Sequence, residues 1–375
     1  MAESLPEDMI MEILLRLPAK SLGRFKCVCK RWRFLISKRG FAKSHLQRLK
    51  AGDPITSQRI IVGSSCDRDI PLETVDYEAL DGGGEGRVVE PHGIIPFQER
   101  CCIVGSCDGM VCLVGPRSFL IYNPTTRVYI ELPGSHFNFN RDELFSELRD
   151  GRYCGFGYDS QSDDYKVVKI VEVDDTDEYP EWEAAIFSLR SGSWRRKQVR
   201  FQEQEHRDVQ IFRHGVYWKG ALHWCAQLWN VDHRCEAVII SFDLLREEFL
   251  QVLPVPEVDK DVYYWELGIH GVNLFIYNCV HYPAVEAWIT DEYGKGASWT
   301  KWFSVDCSAF VNCHPWDSLL LAYTRCGKIV FWLGTKRMIL FDPESNTCKD
   351  YPIERHCYIE YAIYLETLVS PYLGG

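Results

Sequence analysis

The chain has 375 residues, of which 46% are apolar and 25% are charged, and its formal net charge is −11. This composition is typical of a globular protein and excludes a disordered or fibrous chain, and no apolar run approaches the roughly 18 residues that a membrane helix needs. Glu3, Glu7 and Asp8 stand where a secretory signal would be basic and then apolar. We therefore expect a cytoplasmic or nuclear protein whose 16 cysteines are reduced.

Positive charge is concentrated in the first 50 residues. They contain twelve basic and four acidic residues, a net charge of +8, so the rest of the chain carries −19. This asymmetry predicts a small unit and a large unit with different partners, although the basic residues could also form a solvated face and nothing more. The acidity of the large unit disfavours nucleic-acid binding.

The small unit is predicted to be helical. Ser4 and Glu7 have the spacing of a capping box, which predicts that a helix begins at Ser4 with Pro6 in its first turn. The apolar residues that follow have the three- and four-residue spacing of one helix face: Ile10, Ile13, Leu14 and Leu17. Pro18 ends this helix, and a second apolar stripe predicts a second short helix over residues 22–36.

Four stretches of this unit have a recognisable pattern: residues 5–6, 12–14, 16–22 and 24–32. They closely resemble the F-box of plant F-box proteins, a module that docks on a SKP-type adaptor and so joins a cullin–RING ubiquitin ligase. The resemblance implies nine adaptor-facing residues: Leu5, Pro6, Ile13, Leu14, Leu17, Pro18, Leu22, Val28 and Trp32. It also gives the basic surface a role, because such adaptors are acidic.

The large unit repeats a pattern of paired strands beyond residue 100. One half of each repeat is a hairpin with glycine in its turn, as at Asp108-Gly109, Lys219-Gly220 and Cys326-Gly327. The other half is an apolar strand, a polar turn and a further strand. Its aligned residues, Tyr122, Phe187, Phe242, Ile289 and Phe341, are spaced by 65, 55, 47 and 52 positions. Such periods predict a kelch-like β-propeller, with a sandwich of unrelated hairpins as the alternative.

Five repeats are visible, and the ends of the chain supply the material for a sixth. A strand near residue 60 could pair with residues 361–368 and close the ring, which would hide both edge strands. We therefore predict an α+β multidomain chain: an all-α module (1–48), a linker with the first strands of the body (49–100), and an all-β propeller of about six blades (101–375).

Seven short stretches of the body carry a second resemblance: residues 105–109, 122–127, 155–160, 163–168, 220–224, 298–301 and 367–371. They are similar to the F-box-associated interaction domain of plant F-box proteins over about residues 100–371. That family includes the S-locus F-box proteins of self-incompatible plants and relatives that act in defence or hormone pathways. The resemblance does not identify a client protein.

Patterns that could carry chemistry favour structural interpretations. Gly155-Phe156-Gly157 lacks the third glycine of a nucleotide loop, and the five-residue spacing of Cys102, Cys107 and Cys112 is not that of zinc ligands. The acidic run over residues 172–178 is more typical of a solvated loop than of a calcium site. We therefore predict no catalytic, cofactor or metal site.

The leading hypothesis is a non-catalytic substrate receptor of an SCF-type ubiquitin ligase, in which the F-box binds the adaptor and the propeller binds a client for degradation. The acidity of the body favours a basic client. Four polar connections are candidate client contacts: residues 137–147, 174–181, 230–235 and 256–263. The alternatives are a propeller lectin or enzyme with a vestigial F-box, and an adaptor-binding scaffold that assembles no ligase.

Overall fold

The structure of the chain is a computed structural model. It describes residues 5–64, 72–80, 89–91, 102–115, 118–134, 153–174, 181–199, 206–211, 214–230, 235–256, 265–281, 284–292, 294, 298–306, 318–333, 337–352 and 359–372.

Four α-helices form the N-terminal module: α1 (Glu7–Leu14), α2 (Ala19–Phe25), α3 (Lys30–Ser37) and α4 (Arg39–Ala51). The predicted helix start at Ser4 is wrong, because Leu5 and Pro6 are not helical and α1 begins at Glu7. The cap by Ser4 stays a prediction. Ser4 lies outside the described residues. The predicted division at residue 48 falls inside α4.

The predicted second helix is two helices. The chain leaves helical geometry at Cys29, whose φ of −157° and ψ of 162° are those of an extended residue. The Sγ atom of Cys29 accepts a hydrogen bond from the backbone amide of Trp32 at 3.4 Å and so caps α3. A single apolar stripe thus runs over two helices that meet at a turn, and periodicity alone did not reveal the break.

Twenty-five described strands form six antiparallel sheets. The first sheet contains β1 (Gln58–Ser64), β2 (Glu73–Val75), β3 (Val89–Pro91) and β25 (Ile359–Leu365). The second contains β4 (Cys102–Cys107), β5 (Met110–Val114), β6 (Phe119–Asn123) and β7 (Val128–Glu131), and the third β8 (Cys154–Asp159), β9 (Asp164–Asp174), β10 (Glu181–Ser188) and β11 (Ser193–Val199).

The fourth sheet contains β12 (His206–Ile211), β13 (Val216–Trp218), β14 (Ala221–Asn230), β15 (Cys235–Asp243) and β16 (Glu248–Pro254). The fifth contains β17 (Trp265–His270), β18 (Asn273–His281), β19 (Ala284–Thr290) and β20 (Thr300–Asp306). The sixth contains β21 (Ser318–Tyr323), β22 (Ile329–Leu333), β23 (Arg337–Asp342) and β24 (Thr347–Pro352). The chain is therefore a short helical module followed by a six-bladed β-propeller, as predicted.

The ring closes through its two ends, as the sequence predicted. β25 lies beside β1 over the register Gln58–Leu365 to Ser64–Ile359, so the C-terminal strand becomes the first strand of the blade that β1 to β3 continue. The hydroxyls of Thr74 and Tyr364 lie 3.1 Å apart inside this blade. The predicted alternative of unrelated hairpins in a sandwich is wrong.

The hairpin turns show why glycine recurs in the repeats. Asp108 and Gly109 both have positive φ, at 53° and 87°, and Lys219 and Gly220 repeat this at 48° and 86°. These are two-residue turns of the kind that strongly twisted hairpins need. The Cys326-Gly327 turn is different, since it spans the five residues between β21 and β22.

Antiparallel pairing gives the propeller two distinct faces. The first-to-second and third-to-fourth connections of each blade leave from one end of the strands, here named the turn face, which carries residues 108–109, 124–127, 160–163 and 244–247. The remaining connections leave from the opposite end, the loop face. All contacts between the helical module and the propeller described below involve the turn face or the segment that follows β25.

Candidate functional site

The solvent side of the helical module carries large apolar side chains. Leu5, Met9, Ile13, Val28 and Phe34 are between 52% and 65% exposed. Such a set, gathered on one small module, is unusual for surface that only meets water. We name these five residues the apolar face.

The nine residues predicted to face an adaptor divide into three groups. Leu5, Pro6, Ile13, Pro18 and Val28 are exposed. Leu17 and Trp32 are half-buried, and the Trp32 ring lies 5.4 Å from that of Phe25.

The third group comprises Leu14 and Leu22, which are fully buried within the chain. In this conformation both side chains pack in the module's own core, so an adaptor could reach them only after the module rearranged. Helix periodicity marks them as members of the apolar stripe but does not say which partner covers that stripe. Met9 and Phe34 were not among the nine, because they lie off the stripe; their exposure is visible only in the fold.

The core of the module is completed by the far end of the chain. Leu368 packs in one cluster with Leu14, Leu22, Ile36 and Phe41. The segment that carries it is fixed by Asn123, whose Nδ2 atom donates to the carbonyl oxygens of Thr367 at 3.2 Å and Val369 at 2.6 Å. The module is therefore not an independent bundle, since a propeller residue fills its interior.

Two carboxylates on the turn face hold α4 to the propeller. Asp163 accepts hydrogen bonds from Arg39 Nη2 at 3.0 Å, Lys43 Nζ at 2.5 Å and Tyr158 Oη at 2.6 Å. The hydrogen bonds from Lys43 and Tyr158 hold the pKa of Asp163 below its usual value. Asp108 in the hairpin turn accepts from Lys50 Nζ at 2.5 Å.

The second oxygen of Asp108 accepts from the buried hydroxyl of Tyr165 at 2.9 Å. Burial opposes the charge of Lys50, but attraction to Asp108 outweighs it and raises the pKa of the lysine. A third carboxylate, Glu366, joins Lys20 at 3.1 Å and Arg59 at 3.4 Å. These contacts fix the module in one orientation on the turn face.

The axis of the propeller contains a small cavity of ≈ 80 Å³ lined by the innermost strands. Its polar groups include Glu266, which accepts a hydrogen bond from the Tyr277 hydroxyl, and His223, whose Nδ1 atom donates to the carbonyl oxygen of Val216 at 3.4 Å. Burial lowers the pKa of His223 to about 4, so this imidazole is neutral near pH 7. Glu266 and the Nδ1 atom of His223 are thus bonded within the propeller.

The part of the chain that the structure describes contains neither a cluster of metal-binding side chains nor a helix that could span a membrane. There, no three His, Cys, Asp or Glu side chains are grouped closely enough to hold a metal ion. Nor is any described helix both long and apolar enough to cross a membrane.

The four candidate client connections fall largely outside the described residues. The strands that flank them are described, and Asp174, Glu181, Asn230 and Cys235 all end or begin their strands at the loop face. The apolar face and the described strand ends that flank residues 174–181 and 230–235 therefore lie on opposite sides of the molecule.

Comparison with known proteins agrees with both units. The F-box domain model matches residues 3–44, and the model described as an F-box associated beta propeller domain matches residues 86–370. The F-box/kelch-repeat protein At3g23880 of Arabidopsis thaliana is 30% identical to this chain, covering 98% of this chain and 96% of its own length. The F-box protein CPR1 of Arabidopsis thaliana is 29% identical, with 92% and 83% covered.

Likeness to solved structures is distant. The structure of apo AztD from Citrobacter koseri aligns with a TM-score of 0.42 and 8% identity over 84% of this chain and 100% of that chain. The family models cover both the helices and the blades, and the relatives extend over nearly the whole chain. The chain belongs to the plant F-box proteins that carry an F-box associated beta-propeller domain.

Proposed function

We propose that the protein is the substrate-recognition subunit of an SCF-type ubiquitin ligase and acts in the cytoplasm or nucleus. The F-box module binds a SKP-type adaptor, and through it the cullin and RING subunits. The propeller binds a client protein that is then ubiquitinated and degraded. Transfer is accelerated by proximity, so the chain needs no catalytic residue of its own.

The observation that carries this proposal is the apolar face of the module. Interface energy is concentrated in a few apolar or aromatic anchors that become fully desolvated. Ile13 and Val28 have the required exposure and chemistry, and they belong to the 50-residue stretch that carries a net charge of +8. An acidic partner would be steered to this surface by its charge and held there by apolar contact.

The arrangement of the two faces supports the receptor role. The module occupies the turn face, so an adaptor would lie on that side and leave the loop face open to a client. The ion pairs at Asp108 and Asp163 hold the F-box module in one fixed orientation on the propeller. This fixed orientation would keep a bound client at a constant distance from the ubiquitin-transfer subunits of the ligase.

The lectin alternative rests on the twelve tryptophans of the chain. Six of the described tryptophans are buried in the propeller: Trp182, Trp218, Trp224, Trp265, Trp288 and Trp332. Rings that are committed to packing between blades are not available to stack on a sugar. Blade packing is thus the simpler account of the aromatic content.

Adaptor binding tests the first half of the proposal. We expect the full chain to capture a purified SKP-type adaptor, and the variant Leu5→Ala/Ile13→Ala/Val28→Ala to bind at least a hundredfold more weakly, since central anchors are worth about 2 kcal/mol each. The control is Leu245→Ala, an exposed leucine on the propeller. Failure of the intact chain to bind, or equal binding by the triple variant, contradicts the proposal.

Client turnover distinguishes a receptor from a scaffold. Proteins captured by the chain in cells should accumulate when the triple variant replaces it, because they remain bound but are no longer joined to the ligase. Capture that weakens with added salt would support a basic client. Unchanged lifetimes of every captured protein would leave the scaffold as the better description.

A further inference from the structure

A cleft lined by basic side chains separates the F-box module from the propeller. It comprises two adjoining cavities of ≈ 230 and ≈ 400 Å³ that share Arg39 and Tyr372. Both volumes are of the order of small-molecule sites, which occupy roughly 300–1,000 Å³. We name this space the basic cleft.

Positive charge in the basic cleft exceeds negative charge. The module contributes Lys26, Lys38, Arg39 and Lys43, and the propeller contributes Arg190. These five cations face one lining carboxylate, that of Asp163. In a chain whose net charge is −11, such an accumulation is a local reversal of sign.

Two of the lysines are not neutralised by a carboxylate. Lys26 forms no hydrogen bond or ion pair with the described residues, and Lys38 lies 4.5 Å from the centre of the Phe34 ring without an acidic partner among them. Burial, together with repulsion from Arg33, lowers the pKa of Lys26. Free energy is therefore lost by leaving this charge in the cleft without a counter-charge.

Donor groups also line the cleft. Helix α4 begins there at Lys38 and Arg39, and no side chain in the described part of the chain caps its first-turn amides. The Oγ1 atom of Thr126, on the propeller side, is buried and has no hydrogen-bond partner among the described residues. These donors add to the positive field but would not by themselves define a site.

We propose that the basic cleft binds a small phosphorylated ligand that carries at least two phosphoryl groups. Each such group brings about −1.5 to −2 charges and three acceptor oxygens, so two of them balance four excess positive charges. The ammonium groups of Lys26 and Lys38, which have no carboxylate partner among the described residues, would donate charge-assisted hydrogen bonds to the phosphoryl oxygens. A ligand held there would contact both units and tighten their association.

The acidic adaptor is a different account of these cations, and the geometry disfavours it. None of the five residues of the apolar face lines the cleft, whereas propeller residues form its second wall. An adaptor seated on the apolar face would contact the solvent side of the module. The cleft lies where the module meets the turn face.

Calorimetric titration of the full chain with inorganic tripolyphosphate at physiological ionic strength tests the proposal. We expect saturable binding of one ligand per chain and a rise in the thermal midpoint. The variant Lys26→Gln/Lys38→Gln should bind at least about tenfold more weakly, because two charge-assisted contacts are lost. The control Lys30→Gln/Lys349→Gln removes the same charge from exposed lysines that do not line the cleft.

Each remaining outcome overturns the proposal. Equal weakening in the control would mean that tripolyphosphate responds only to overall charge. The absence of binding at millimolar concentration would mean that the cleft has no phosphate affinity. Loss of tripolyphosphate binding when the adaptor is bound would assign the cations to the adaptor. None of these results depends on whether the protein directs a client to degradation.

Discussion

His45 on α4 is a buried, neutral histidine at the centre of the F-box module. Its Nε2 atom donates to the carbonyl oxygen of Leu17 at 2.9 Å, and no described residue bonds to its buried Nδ1 atom. Burial lowers the pKa of His45, and the bond to Leu17 opposes this only in part. Protonation would place a charge beside the Phe41 ring, whose centre is 6.3 Å away.

This environment predicts a pH dependence. Below the ordinary histidine value of about 6.5 the unfolded chain takes up a proton that folded His45 resists, so stability is full above that pH and falls as the pH decreases. The variant His45→Gln should lose less of its thermal midpoint between pH 7.5 and pH 5.5 than the natural chain. Identical pH slopes for the two proteins would contradict this account.

Lys166 joins two blades as a buried cation. Its Nζ atom donates to Asp159 at 3.0 Å, to Glu247 at 2.9 Å and to the carbonyl oxygen of Leu244 at 2.6 Å. Lys166→Met would leave Asp159 and the carbonyl oxygen of Leu244 buried without this cation and Glu247 with Arg195 alone, and we expect a loss of about 3 kcal/mol in the free energy of unfolding.

The control for Lys166 is Lys301→Met, which removes a half-exposed lysine that pairs with Glu286 at 2.6 Å. An exposed pair of this kind is worth about 0–1 kcal/mol. The free energies of unfolding of both variants can be compared by urea denaturation. Similar midpoints for the two would show that the buried contacts of Lys166 stabilise the fold no more than the exposed pair does.

At the scale of elements, the first hairpin of the second blade is fitted to the C-terminal segment. A Cβ atom on Gly109 would collide with the Thr367 side chain and lie 2.5 Å from the carbonyl oxygen of Leu365. Gly220 has the same position in its own hairpin and nearly the same φ, yet its Cβ atom would meet nothing within 4 Å.

This pair isolates packing from backbone conformation. Alanine at either position costs about 1–2 kcal/mol for positive φ. Gly109→Ala should therefore lower the thermal midpoint clearly more than Gly220→Ala, and increase amide exchange in α1 to α4, because Leu368 would shift with Thr367. Equal effects would mean that the contact with the C-terminal segment is easily relieved.

Some elements of the fold could be predicted from the sequence and others could not. Alternating strands and glycine turns predicted the blades, because each of those signals is local. Pairing of β1 with β25 could be predicted since a ring leaves two edges that need a partner. The place of Leu368 in the helical core could not, because no periodicity links residues so far apart in sequence.

Side-chain roles at the turn face were equally hidden. Asp108 and Asp163 are both turn residues with positive φ, a position that aspartate often occupies for backbone reasons alone. That each also binds α4 depends on where the module docks. Exposure of Ile13 beside burial of Leu14 likewise depends on the arrangement of all four helices, which one apolar stripe does not specify.

For the molecule as a whole, cooperative folding depends on the blade that β25 forms with β1 to β3, because this blade closes the ring. A chain ending at residue 358 lacks β25, which leaves β1 without its partner and removes the strand that lies between β4 and β21 around the axis. We expect this chain to aggregate or to lose its cooperative thermal transition, while a chain ending at residue 372 behaves as the natural protein. A soluble, cooperatively folding chain of 358 residues would contradict the role given to closure.

The closing contact also has a consequence in time. Thr74 and Tyr364, which meet inside the closing blade, are 290 residues apart in sequence. At a synthesis rate of about 5–20 residues per second, the earlier strand waits roughly 15–60 s for its partner to leave the ribosome. During that interval the F-box helices also lack Leu368. A prematurely terminated chain therefore offers an incomplete F-box, and only finished chains present the module in its native form.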